Sequence, residues 1–174
     1  MSSVGGTSEQ PSASAIVAPV VGSGSHILRI EGYSATKGLG NGEYIKSERF
    51  VAGGHRWYLY YYPDSFDHGE ASDSISFRLV YDDVHNVQAK FTISLLDQAG
   101  NPVPSYSHTS KSEYYKGFQW SEGYGVIKRS ELEGSAYLKD DAFTLRCDVI
   151  LVKNVFTKTI PVPEALSGVV KQEK

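Results

Sequence analysis

Side chains able to do chemistry are present in this chain, but they do not gather by spacing. The five histidines, His26, His55, His68, His85 and His108, are scattered, with no His-x-x-x-His pair. Zinc sites read from sequence need such pairs or paired cysteines, so no metal ligand set is expected. Cys147 is the single cysteine and shares the phase of Phe143, Leu145, Val149 and Leu151, which makes it a small buried hydrophobe without a disulfide partner. Asp140 and Asp141 are adjacent carboxylates, and neighbours on an extended chain point apart. No third oxygen ligand stands at calcium or magnesium spacing, so a turn or cap is expected there. Neither a Gly-x-Ser-x-Gly elbow nor a phosphate loop occurs, and Gly38-Leu39-Gly40 is only a loop fragment. No nucleophile is paired with a base. No enzyme activity, cofactor or catalytic residue is expected. The chain is instead rich in aromatic residues, at 12%, and these serve recognition as readily as packing.

The elements that position those aromatics read as strands. Gly53-Gly54 turns into His55-Arg56-Trp57-Tyr58-Leu59-Tyr60-Tyr61-Tyr62, and Pro63-Asp64 stops the run. Trp57, Leu59 and Tyr61 share one face, with Trp57 assigned to the core; Tyr58, Tyr60 and Tyr62 share the other. A more polar segment, 43–51, packs beside it. Further strands are expected at 26–33, 73–81, 87–96 and 142–152, each with alternating apolar positions. Residues 103–112 carry prolines and suit an irregular or edge segment. The aromatic stretch 114–120 bends at 121–125, 126–128 resumes as strand, and 129–132 suits one helical turn. Seven or eight short strands separated by turns, without sustained helical periodicity, predict an antiparallel sandwich or barrel.

Length and composition agree with one domain plus tails. The chain has 174 residues, 40% hydrophobic, and a formal net charge of −3 without a long run of either sign. No nucleic-acid or membrane partner is therefore expected. Residues 1–24 are Ser, Gly, Ala and Pro with little apolar bulk, read as a disordered arm. The start lacks a signal-peptide profile, and a lone cysteine suits a reducing compartment, so the nucleus or cytoplasm is expected. Residues 25–155 form the domain and 156–174 a linker tail.

Several stretches together resemble a known family. They are Leu28-Arg29-Ile30-Glu31-Gly32-Tyr33-Ser34, Gly42-Glu43-Tyr44-Ile45-Lys46-Ser47, Gly53-Gly54-His55-Arg56-Trp57 with Tyr61-Tyr62-Pro63, Asp73-Ser74-Ile75-Ser76, Ala89-Lys90-Phe91, and Leu138-Lys139-Asp140-Asp141-Ala142-Phe143-Thr144-Leu145-Arg146-Cys147. Over 25 to about 153 they resemble the MATH, or TRAF-like, domain, most of all that of plant proteins joining MATH to BTB. The resemblance implies an eight-stranded antiparallel β-sandwich that binds short Ser/Thr-rich peptides of target proteins. It also implies a BTB domain that docks a cullin ubiquitin ligase. That domain is absent from this chain, and Pro161-Val162-Pro163 looks like the linker before it. A MATH domain without its BTB half is expected to be a monomer.

Carried over by position, the resemblance places peptide contacts at Ser74, Phe91, Lys116 and Phe118, and at Tyr124, Gly125 and Val126. Tyr115 and Trp120 join them as aromatic anchor candidates. Phe91 is in phase with the core face of its strand, so core and groove roles both stay open. The chain departs from animal relatives: Ser74 stands for a groove Tyr, Tyr124 for Trp, Val126 for Phe, Ile127 for Lys, and Glu122 for a basic residue. These changes imply a shallower, less basic groove with a different peptide preference. A second reading is a stand-alone MATH protein acting as a competitor or scaffold. A third is a carbohydrate-binding sandwich stacking sugars on Tyr58, Tyr60 and Tyr62.

Overall fold

A computed structural model of the chain describes residues 6–66 and 73–166. The two ends of the chain, 1–5 and 167–174, and most of the loop expected at 63–72 lie outside the described residues.

Two compact units are present, one from residues 20–153 and one from the flanking stretches. In the flanking unit, β1 (Ala13–Val17) pairs antiparallel with a last strand at Phe156–Ile160. The arm, expected to be disordered, and the tail, expected to be a linker, thus pair with each other over 13–17 and 156–160. Ile16 and Val17 face Thr157 and Phe156 across that ladder, and β-branched and aromatic residues suit an extended chain. Composition averaged over the whole arm hides so short a run.

The main unit begins earlier than expected, with β2 at Val20–Glu31. Then come helix α1 (Tyr33–Thr36), β3 (Ile45–Lys46), β4 (Phe50–Ala52), β5 (His55–Tyr62), β6 (Ser74–Tyr81) and β7 (Asn86–Leu96). They are followed by β8 (Pro102–Thr109), β9 (Glu113–Lys116), β10 (Tyr124–Lys128), helix α2 (Arg129–Glu133) and β11 (Ala142–Val152). The expected strand at 43–51 is split into β3 and β4, both pairing with β5. All strand pairs are antiparallel. One sheet runs β10-β6-β5-β3 with β4 also on β5, and the other runs β2-β11-β7-β8 with β9 also on β7. Counting short pieces separately gives more strands than the eight implied by the resemblance, but the all-β antiparallel sandwich stands.

The alternating sequence pattern explains what fills the space between the sheets. Trp57, Leu59, Tyr61, Ile75, Phe77, Leu79 and Tyr81 come from one sheet; Phe91, Ile93, Leu95, Phe143, Leu145, Cys147 and Val149 come from the other. All are buried, Cys147 included. Burying a large apolar side chain stabilises by roughly 1.5–3 kcal/mol. Trp57 donates its indole N–H to the Ala52 carbonyl at 3.1 Å, so its one polar atom is paired.

The Gly-rich start of β2 has a steric reason. A Cβ at Gly24 would lie 2.7 Å from Ala52 Cα and 2.9 Å from the Val51 carbonyl oxygen, both backbone atoms of β4. Small residues let β2 and β4, which belong to different sheets, close on each other at this end. Asp141 does the capping work expected of the Asp140-Asp141 pair. Its carboxylate accepts the Ser34 amide at 3.0 Å and the Ser34 hydroxyl at 2.6 Å, bracing α1 from across the chain. Both aspartates have positive φ, which Asp tolerates in turns.

Candidate functional site

The free edge of β10 is built by the preceding chain segment as well as by the strand. From Gln119 to Arg129 the backbone tracks β6 antiparallel. The Gln119 carbonyl accepts the Tyr81 amide at 2.8 Å, Trp120 bridges Val80, and the Ser121 amide donates to Leu79 at 2.8 Å. The Ser121 hydroxyl also accepts the Leu79 amide at 3.0 Å. Tyr124 then faces Phe77, Gly125 faces Ser76, Ile127 faces Ile75 and Lys128 faces Ser74. A bulge between Gly125 and Ile127 makes Val126 an extra residue, and both Val126 and Ile127 turn inward and are buried. Beyond β10 the sheet has no further strand among the described residues. Its outer backbone groups are therefore presented in the manner of any edge strand.

Beside that edge stands an aromatic cluster. The Tyr124 ring lies 3.7 Å from the His108 ring on β8 and meets Phe91 on β7 edge-on at 5.6 Å. Tyr124 thus spans from the edge of one sheet to the other. Burial raises the Tyr124 hydroxyl pKa, and the carboxylates of Glu113 and Glu122 add to the effect. Burial also lowers the His108 pKa, which keeps the imidazole neutral at pH 7 beside the tilted Tyr124 ring. Behind Phe91, Ser110 ends the ladder: its hydroxyl accepts the Phe91 amide at 2.9 Å and its own amide donates back to the Phe91 carbonyl. A Cβ at Gly125 would come 3.2 Å from Ser74 Cβ. The small pair of Gly125 over Ser74 keeps the surface beside Tyr124 low.

The expected site residues divide into three groups. Ser74, Phe91, Tyr124, Gly125 and Val126 come together at the β10 edge; Tyr124, Gly125 and Ser74 carry surface there, while Phe91 and Val126 form its floor. Lys116, Phe118 and Trp120 lie upstream, exposed, on the segment leading to that edge. Trp120 pairs at Val80, three β6 positions from the Phe77 that faces Tyr124, or roughly 10 Å along the strand. Tyr115 belongs to neither group. It is 1% exposed and packs edge-on against Trp57 at 5.3 Å, so it is a core residue. Its position is dictated by β9, which pairs with β7 at Val87 and points the Tyr115 ring inward.

His108 was not among the residues picked from sequence. It sits in a proline-bearing segment whose alternation, Tyr106 and His108 half-buried between exposed neighbours, is polar enough to hide an edge strand. The half-buried faces of Tyr58 and Tyr60 also carry stacked rings, with Tyr44 on Tyr60 at 3.8 Å and the Lys46 ammonium over Tyr58 at 4.3 Å. That face is covered by its own side chains, which does not favour the sugar-stacking reading.

The comparisons agree with this architecture. Residues 25–149 match the family model of the MATH domain. The chain is 39% identical over 140 residues to BTB/POZ and MATH domain-containing protein 3 of Arabidopsis thaliana, covering 75% of this chain and 34% of that protein. It is 37% identical over 154 residues to BTB/POZ and MATH domain-containing protein 6 of the same plant, covering 83% of this chain and 36% of the relative. The chain thus spans about a third of the length of the curated relatives it matches. The match corresponds to the sandwich between β2 and β11, and MATH domains are protein-interaction modules rather than enzymes. The chain belongs to the MATH-domain family.

Proposed function

We propose that this domain is the substrate-recognition module of a cullin-type ubiquitin ligase adaptor, binding a short, extended, degron-like segment of a target protein along β10. The observation that carries the reading is the free β10 edge with the Tyr124–His108–Phe91 cluster beside it. An added strand gains main-chain hydrogen bonds from such an edge, and alternate side chains drop beside the rings. Glu113 and Glu122 are the charges acting on Tyr124, so peptides carrying phosphate or acidic residues at that position are disfavoured. The names of the plant relatives pair MATH with BTB/POZ, which supports placing a ligase-docking domain in the same polypeptide.

Peptide-library selection against the purified chain tests the binding half of the reading. Enrichment of a short linear motif whose binding is lost in Tyr124→Ala supports it, and enrichment unaffected by that change contradicts it. The reading frame after Lys174 tests the ligase half. A BTB-coding region there supports the adaptor; a stop makes the same edge a competitor or scaffold that holds peptides without delivering them.

A further inference from the structure

Away from the β10 edge, three side chains converge at the turn joining β6 to β7. His55 opens β5 just after the Gly53-Gly54 turn, while Asp83 and His85 sit in the turn before β7. One ligating atom from each lies within 4.8 Å of the others. The Asp83 carboxylate faces both rings, one oxygen to each: Oδ2 is 3.5 Å from His55 Nδ1 and Oδ1 is 3.4 Å from His85 Nδ1. These separations are long for N–H···O hydrogen bonds, which cluster at about 2.7–3.2 Å. Each is close to the ligand–ligand spacing around an ion bonded at about 2.0–2.1 Å, roughly 3.3–3.4 Å, and the two oxygens belong to one carboxylate placed between the two rings. We propose that His55, Asp83 and His85 form a binding site for one divalent transition-metal ion.

The surroundings suit that role. Asp83 and His55 are partly buried, whereas His85 is 75% exposed at its side chain and free to swing the remaining distance. The Tyr81 hydroxyl donates to the His85 carbonyl at 2.6 Å and lies 3.1 Å from His55 Nδ1. The buried phenol thereby fixes the His85 backbone; its contact with His55 Nδ1 is to the nitrogen that faces Asp83, and it gives way when that nitrogen, deprotonated, takes the ion. The Asp82 amide donates to the Arg56 carbonyl at 2.9 Å, tying the turn to the start of β5 before any ion binds. Arg56 is the nearby cation acting on Asp83; it is exposed, so solvent screens its opposition. Two nitrogens and one oxygen favour zinc-like ions over magnesium or calcium. Spacing in sequence could not show this set, because His55 reaches the turn only through β5–β6 pairing. The Asp83 carbonyl also accepts the Phe118 amide at 3.1 Å, so a bound ion would stiffen the root of the exposed aromatic segment.

Calorimetric titration of the EDTA-stripped full chain with Zn²⁺ at neutral pH tests the site. The expected result is one saturable site, a rise in melting temperature with Zn²⁺, and no response to Mg²⁺. His85→Gln, at an exposed position that the fold does not need, should weaken Zn²⁺ binding at least about tenfold and remove the thermal shift; Asp83→Asn should do the same. Absence of saturable Zn²⁺ binding, or binding unchanged in His85→Gln, would overturn the proposal.

Discussion

Replacing Tyr124 by Ala separates a binding anchor from a packing residue. The side chain is half-buried and makes two ring contacts, with His108 at 3.7 Å and Phe91 at 5.6 Å. Each aromatic pair is worth about 0.5–1.5 kcal/mol beyond the area it buries. Losing both costs the fold about 1–3 kcal/mol on top of the lost burial of a half-exposed ring, which a domain of ordinary stability survives. Peptide binding should suffer more in relative terms. A central aromatic anchor contributes about 2 kcal/mol or more, and that weakens affinity by roughly 30-fold. Tyr124→Phe keeps the ring over His108 and should stay within a few-fold of wild type. The assay is fluorescence anisotropy with a library-selected peptide, run beside circular dichroism and thermal melts. A native Ala variant that binds within threefold of wild type would refute the assignment of Tyr124 as an anchor.

Other perturbations have equally definite outcomes. The Tyr115 hydroxyl is buried without a hydrogen-bond partner; Tyr115→Phe removes that cost and should raise stability by about 1 kcal/mol in chemical denaturation, leaving peptide affinity unchanged. Burial lowers the pKa of both His26 and His108 below the ordinary histidine value of about 6.5. Below about pH 6.5 the unfolded chain takes up protons that the folded chain refuses. Stability should therefore fall as pH drops from 7 toward 5, and His108→Gln should flatten that slope in pH-dependent melts. Gly24→Val drives a branched side chain into the β4 backbone, where even a Cβ would sit 2.7 Å from Ala52 Cα. We expect a loss of more than about 2 kcal/mol; a melting temperature within a few degrees of wild type would show that β2 and β4 do not approach so closely.

Much of this was legible in the sequence because the period-2 pattern is strong where both sheets face the core. The strand expected at 142–152 has those bounds, and Trp57, Leu59 and Tyr61 are buried on one face as their alternation requires. Trp57 and Cys147 are buried as expected. The pattern failed where alternation serves something other than a core. At Gly22 and Gly24 small residues mark a close approach of two strands, and composition alone reads them as disorder. Tyr115 carries the residue type of an anchor, but the pairing of β9 with β7 decides which way it points. The bulge at Val126 reverses facing in the middle of a strand, which no fixed period predicts. His108 and the His55–Asp83–His85 cluster depend on contacts between strands distant in the chain.

The most direct test of the central claim is a ¹H–¹⁵N correlation titration of the domain with a library-selected peptide. Binding along β10 predicts shifts confined to the backbone from Gln119 to Lys128 and to Phe91, His108 and Ser110 across the seam. Shifts gathered instead around β2 and β3, with the Tyr124–Gly125 amides unmoved, would contradict it.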